Sequence, residues 1–152
     1  MADWLGDQAA GLRKLVARDR TRSICFNGGR GGTGTTSAVI NLAHALSNLG
    51  KRVLVLDEHI GQTNVAARLG MKPQTDLEQV LQRRLPLDKL LVNLPGGGEL
   101  MPMTARPETL ARLSAYEEDR LAFEFNHLTS TVDMILVDAR AAANSGASAK
   151  AA

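Results

Sequence analysis

SICFNGGRGGTGTTSAVINLAHALSNLGKRVLVLD, residues 23–57, decides the fold. Residues 23–26 read as a short strand, and NGGRGGTGT after them as a glycine-rich loop. A helix follows, with Val39, Leu42, Ala43, Leu46 and Leu49 on one face at helical spacing and Gly50 as its stop. KRVLVLD, residues 51–57, is a continuous apolar run of the kind buried on both faces of a parallel sheet. Strand, loop, helix and strand in this order make a βαβ unit. A crossover of this length forces parallel pairing with a right-handed connection.

Downstream, residues 62–69 and 76–92 read as helices separated by an MKPQ turn. LPGGGELMPM, residues 94–103, holds a glycine turn and then a short strand at 100–103. Residues 107–129 read as helix and DMILVD, residues 133–138, as a fourth strand. The expected class is α/β, a parallel sheet of about four strands. Ligands in such sheets sit at the carboxyl ends of the strands. The glycine loop and Asp138 both lie there, so they can share a site. Upstream, residues 3–17 read as a helix carrying Leu5, Leu12, Leu15 and Val16 near one face, with a basic linker behind it (Arg18, Arg20, Arg22). The expected domains are therefore 1–22, helix and linker; 23–139, the α/β body; and 140–152, an Ala/Ser-rich tail with no apolar pattern, expected to be disordered.

Composition narrows the function. The hydrophobic fraction of 44% and charged fraction of 22% suit a globular domain. With 18 Lys+Arg against 16 Asp+Glu, the net charge of +2 gives little support to nucleic acid as the main partner, and no direct nucleic-acid contact is expected. Aromatics at 3% supply no stacking platform for single strands. The one cysteine, Cys25, allows no intrachain disulfide and no Cys/His metal spacing. It is expected to be a buried strand residue. No apolar stretch approaches the ~20 residues of a membrane span, and the expected location is cytoplasmic.

The loop has the spacing of a P-loop, G-x-x-x-x-G-K-[ST], from Gly29 to Thr36, with Thr35 at the lysine position. Glycines that expose backbone N–H groups ahead of a helix N-terminus make an anion nest. Thr36 keeps the hydroxyl that can serve Mg²⁺. The ammonium that spans the β- and γ-phosphates is lost.

The run Arg30-Gly31-Gly32-Thr33-Gly34-Thr35-Thr36-Ser37 resembles the deviant Walker A of MinD/ParA proteins, K-G-G-x-G-K-[ST]-[ST], with Arg30 for the signature lysine and Thr35 for the phosphate lysine. DEHIGQTN, residues 57–64, resembles the family's D-x-D-I-G-x-x-N, with Asp57 at the first Asp and His59 at the second, which positions the attacking water. MILVDAR resembles the Walker B strand, and Asp138 matches the residue that holds Mg²⁺ through water. The resemblance implies nucleotide binding by residues 30–37, and Mg²⁺ held by Thr36 and Asp138. Asp57 and His59 are the candidates for catalytic work. ATP and Mg²⁺ are expected to bind weakly or not at all, and hydrolysis to be weak or absent, because two charged groups are replaced.

DQAAGLR, residues 7–13, matches D-Q-A-x-x-L-R, the helix ahead of the MinD-like domain in flagellar number regulators (FlhG, also called FleN or YlxH). The resemblance implies an activator helix for a flagellar GTPase of the signal-recognition-particle type (FlhF-type), contacted through Asp7, Gln8, Ala9, Leu12 and Arg13. Other implied partners are flagellar C-ring proteins, a flagellar transcription regulator and a second copy of the chain, at the inner membrane or cell pole. From periodicity alone, Leu5, Gln8, Leu12 and Leu15 share one face, which also suits a helix packed on its own body. The alternative function is a MinD/ParA-type ATPase switch in partitioning or polysaccharide export, a class without this helix. The resemblance spans about the first half of a typical family member. A four-stranded sheet would then expose an edge and a face that the other half covers. His44 is expected to face solvent, and His127 to lie near a helix end.

Overall fold

The computed structural model describes residues 21–28 and 34–140. The expected activator helix with its partner-contacting residues, Arg30 to Thr33 of the loop, and the tail beyond Arg140 lie outside the described residues. The elements are β1 (Arg22–Asn27), α1 (Thr35–Asn48), β2 (Val53–Asp57), a 3₁₀ turn (Gly61–Thr63), α2 (Val65–Arg68), α3 (Leu77–Arg83), a second 3₁₀ turn (Leu87–Leu90), β3 (Val92–Asn93), β4 (Glu99–Pro102), α4 (Pro107–Ala111), α5 (Ala115–Thr129) and β5 (Met134–Ala139).

The sheet order is β1-β5-β2-β4-β3. β1, β5, β2 and β4 are parallel, and β3 is antiparallel to β4. The α/β class and the parallel βαβ core match the expectation. Among the described residues the sheet has five strands where about four were expected, the added one being the short antiparallel β3. PGGG, residues 95–98, closes a hairpin in which the Leu94 N–H donates to the Gly98 carbonyl at 2.9 Å. So short a connection permits only antiparallel pairing.

β2 is buried at every position and β5 at all but its first. Alternation divides the core in two. Val53, Val55 and Leu136 pack with Val39 and Ala43 of α1 and with Val65 and Ala66 of α2 on one side. Leu54, Leu56, Ile135 and Val137 pack with Val80 and Leu81 of α3 and with Phe125 of α5 on the other. Helices on both faces explain why these strands read as unbroken apolar runs.

Three expected helices are shorter than the periodicity indicated. The 62–69 segment divides at Asn64, whose side chain caps α2 by accepting from the Ala67 N–H at 2.7 Å. The 76–92 segment stops at Arg83 because Arg84 turns into the left-handed region at φ 51 and Pro86 follows. The 107–129 segment divides at Ser114, which forms a capping box with Glu117 and starts α5 afresh.

Cys25 is exposed, not buried. β1 pairs only with β5 among the described strands and stands at the margin of both core layers. His44 is half-buried rather than solvent-facing, and its Nε2 is covered. The glycine turn of the β3–β4 hairpin closes over it, so that a Cβ added at Gly96 would lie 2.9 Å from its Nε2. His127 sits in the last turn of α5, as expected.

Candidate functional site

β1, β2 and β5 end level with one another. Asp57 is in register with Asp138, and Asp138 with Phe26 of β1. The parallel sheet therefore brings the last residues of β1, the start of α1 and both aspartates to one edge. Gly34 is the N-cap of α1 at φ 78, a left-handed conformation that strains any residue with a side chain. It lets the chain turn directly into Thr35 and Thr36.

Thr36 is buried, and its Oγ1 donates to Asp138 Oδ2 at 2.7 Å. Asp138 is 0% exposed, and its Oδ1 has no hydrogen-bond partner among the described residues. Asp57 is 2% exposed; its Oδ2 accepts from the Val65 N–H at 2.7 Å and its Oδ1 from the His59 N–H at 3.0 Å. The His59 ring closes the group, with Nδ1 3.1 Å from Asp57 Oδ1 and 3.4 Å from Asp138 Oδ2. Burial raises the Asp57 pKa above its ordinary value; the bonds from Val65 and His59 oppose that rise, and the Asp138 charge adds to it.

Of the expected nucleotide-binding residues, the described ones are Gly34, Thr35, Thr36 and Ser37. They occupy the N-cap and first turn of α1, where backbone N–H groups lack helical acceptors. Ser37 lies on the exposed side, and its Oγ accepts from Arg68 Nη1 at 3.2 Å. Thr36 and Asp138, the expected metal ligands, meet directly. Asp57 and His59, the expected catalytic candidates, join that same group.

Sequence reasoning missed Glu58 and the backbone of Val65. The Glu58 N–H donates to the Asp138 carbonyl at 3.1 Å, and its Oε2 accepts from the Arg140 N–H at 3.2 Å, which ties the β2 end to the β5 end. No sequence signal marks Glu58. Val65 could have been found from Asn64, a cap residue whose helix start aims N–H groups at Asp57.

Thr36, Asp138 and Asp57 offer a hydroxyl and carboxylates, donors that suit a hard divalent cation. The unpartnered oxygen of Asp138 leaves acceptor capacity for one, so the residues present fit Mg²⁺. Backbone N–H groups at Gly34 to Thr36 suit a phosphate beside it.

Residues 21–145 match the model of the AAA domain family. The antiactivator FleN of Pseudomonas aeruginosa is 35% identical over 86% of this chain and 46% of its own length. The chain thus spans about half the length of that curated relative. The MinC:MinD cell division protein complex of Aquifex aeolicus contains a fold with TM-score 0.60 at 31% identity, covering 83% of this chain and 50% of that one. Cobyrinic acid a,c-diamide synthase of Mycobacterium smegmatis, solved with a bound ATP analog and magnesium, gives TM-score 0.61 at 26% identity, over 78% and 50% of the two chains.

Proposed function

The chain belongs to the AAA domain family as a MinD/ParA-type P-loop protein of the flagellar-regulator kind, and from that premise we propose that it regulates flagellar number or placement by stimulating a partner GTPase through its N-terminal helix. The observation that carries this is DQAAGLR, residues 7–13, placed ahead of a P-loop body that lacks the phosphate lysine. Such a body suits a scaffold better than a motor. Gln8 would orient the attacking water in the partner's site, as glutamines do in GTPases. Leu12 and Leu15 would anchor the helix in a groove. Flagellar C-ring proteins, a flagellar transcription regulator and a second copy of the chain are further proposed partners, with the chain held peripherally at the inner membrane or pole. No helix among the described residues is long and apolar enough to cross a membrane.

The test is GTP turnover by a flagellar GTPase of the signal-recognition-particle type, with the full chain, with residues 1–22 removed, and with Gln8→Ala. Stimulation by the full chain alone is expected. Equal turnover in all three removes the reading.

A second reading, a MinD-type ATPase switch, is favoured by one observation, the intact Thr36–Asp138 pair. When bound, Mg²⁺ would offset charge on the β- and γ-phosphates, with Thr36 and Asp138 as its holders. Thr35 provides no ammonium to share that work. We therefore assign weak nucleotide binding and impaired hydrolysis. Tight Mg·ATP binding in a calorimetric titration, with turnover, would restore the switch.

A further inference from the structure

We propose that Asp57, His59 and Asp138 form a site for a first-row divalent ion of the Zn²⁺/Co²⁺ class, preferred there over Mg²⁺. One ligand atom from each residue falls within 4.8 Å of the others. His59 Nδ1 stands 3.1 Å from Asp57 Oδ1 and 3.4 Å from Asp138 Oδ2. Ligands bonded to Zn²⁺ at about 2.0–2.2 Å, at angles between octahedral and tetrahedral, lie roughly 3.0–3.5 Å apart. Both His59 spacings fall in that range, and the His59–Asp57 contact, a hydrogen bond without an ion, would give way to the metal.

A second observation is independent of that spacing. Asp138 is fully buried with Oδ1 unpartnered among the described residues, beside the buried carboxyl of Asp57. Two adjacent buried carboxylates with spare acceptor capacity call for a cation. The His59 side chain is 21% exposed, so the group opens to solvent on its side. The parents of the two carboxylates are paired in register on β2 and β5, which holds the ligands rigidly.

The donor set decides the ion. Mg²⁺ takes oxygen ligands and keeps its waters, whereas an imidazole nitrogen suits Zn²⁺, Co²⁺ and their neighbours. A carboxylate at position 59 would leave an all-oxygen site; His59 makes it mixed. This inference rests on neither the activator helix nor nucleotide binding, and it is tested without either.

The full chain, stripped with chelator and free of nucleotide, is titrated with Co²⁺ by visible absorption and with Zn²⁺ and Mg²⁺ by calorimetry. One Co²⁺ per chain is expected, with a ligand-field band that Zn²⁺ abolishes, and Zn²⁺ binding at least about tenfold tighter than Mg²⁺. His59→Ala is expected to weaken Zn²⁺ about 10- to 100-fold, and His59→Asp to do so while strengthening Mg²⁺. His44→Ala, His127→Ala and Cys25→Ser are expected to leave binding unchanged. Should the His59 variants misfold, a paramagnetically shifted imidazole resonance in the Co²⁺ form of the wild type gives the same answer. No Co²⁺ band and no Zn²⁺ heat at about 1 mM, undiminished Zn²⁺ binding by folded His59→Ala, or binding lost in the Cys25 or His127 variant would overturn the site and leave His59 as a hydrogen-bond donor between two carboxylates.

Discussion

Thr36 Oγ1 donates a buried 2.7 Å hydrogen bond to Asp138 Oδ2 across 102 residues of sequence. The bond pins the first turn of α1 to the end of β5. Without it, the buried Asp138 loses a hydrogen-bond donor. Thr36→Val is therefore expected to lower unfolding free energy by about 2 kcal/mol, and Thr36→Ser by much less. Urea denaturation of the three chains checks this; an unchanged midpoint in the valine variant would show that the bond adds nothing to the fold.

Phe123 and Phe125 sit two residues apart on α5 and face opposite ways, one 74% exposed and the other fully buried against the β2 and β5 side chains. Removing a buried ring leaves a cavity, so Phe125→Ala is expected to cost about 3–5 kcal/mol. Phe123→Ala is expected to stay within about 0.5 kcal/mol of wild type. Thermal and urea unfolding of the pair checks the orientation of α5; equal losses would mean that its inner face is misassigned.

The contrast between those two residues marks what sequence reading could reach. The apolar runs at 53–56 and 134–137 announce buried parallel strands, and Gly34, Asp57 and Asp138 follow from strand ends that must share an edge. Helix length was less legible, because apolar period runs on through a break. The break at Ser114 was nonetheless written in its Ser-x-x-Glu spacing to Glu117. The partial burial of His44 and the exposure of Cys25 were hidden, since each depends on a distant neighbour: the Gly96 turn in one case and the position of β1 in the sheet in the other. At the site, the residue types pointed to a cation and a phosphate. That His59 would join both aspartates followed only from the chain's turn after β2.

Glu78 opens α3 and gathers donors from the segment that starts α4. Its Oε1 accepts from the Thr109 hydroxyl and from Arg106 Nη2 at 2.8 Å, and its Oε2 accepts from the Arg106 N–H at 2.9 Å. The Thr109 bond, with help from Arg106, holds its pKa down from 4.5 to about 2. A depressed carboxylate adds stability that is complete above the unfolded value and is lost as pH falls from there through the folded one. Wild type is therefore expected to be more stable than Glu78→Gln at pH 7, and the gap to close between pH 4.5 and about 2. Denaturation midpoints of both chains across that window check the sign; a gap that persists at the acid end would assign the loss to packing.

Thr35 is the first residue of α1, next to the left-handed N-cap Gly34 and to the buried Thr36. A lysine there would extend from the phosphate end of the helix, where the N-terminal dipole already favours anions. Its ammonium would add a charge-assisted bond to the β- or γ-phosphate, which a threonine hydroxyl cannot match. Thr35→Lys is expected to raise Mg·ATP affinity at least about tenfold, read by calorimetry. Adding His59→Asp to it is expected to bring measurable turnover, because the second carboxylate of the D-x-D pattern returns. If Thr35→Lys binds no better than wild type, the glycine loop does not present its N–H groups to phosphate. The lost lysine would then not be what limits nucleotide affinity.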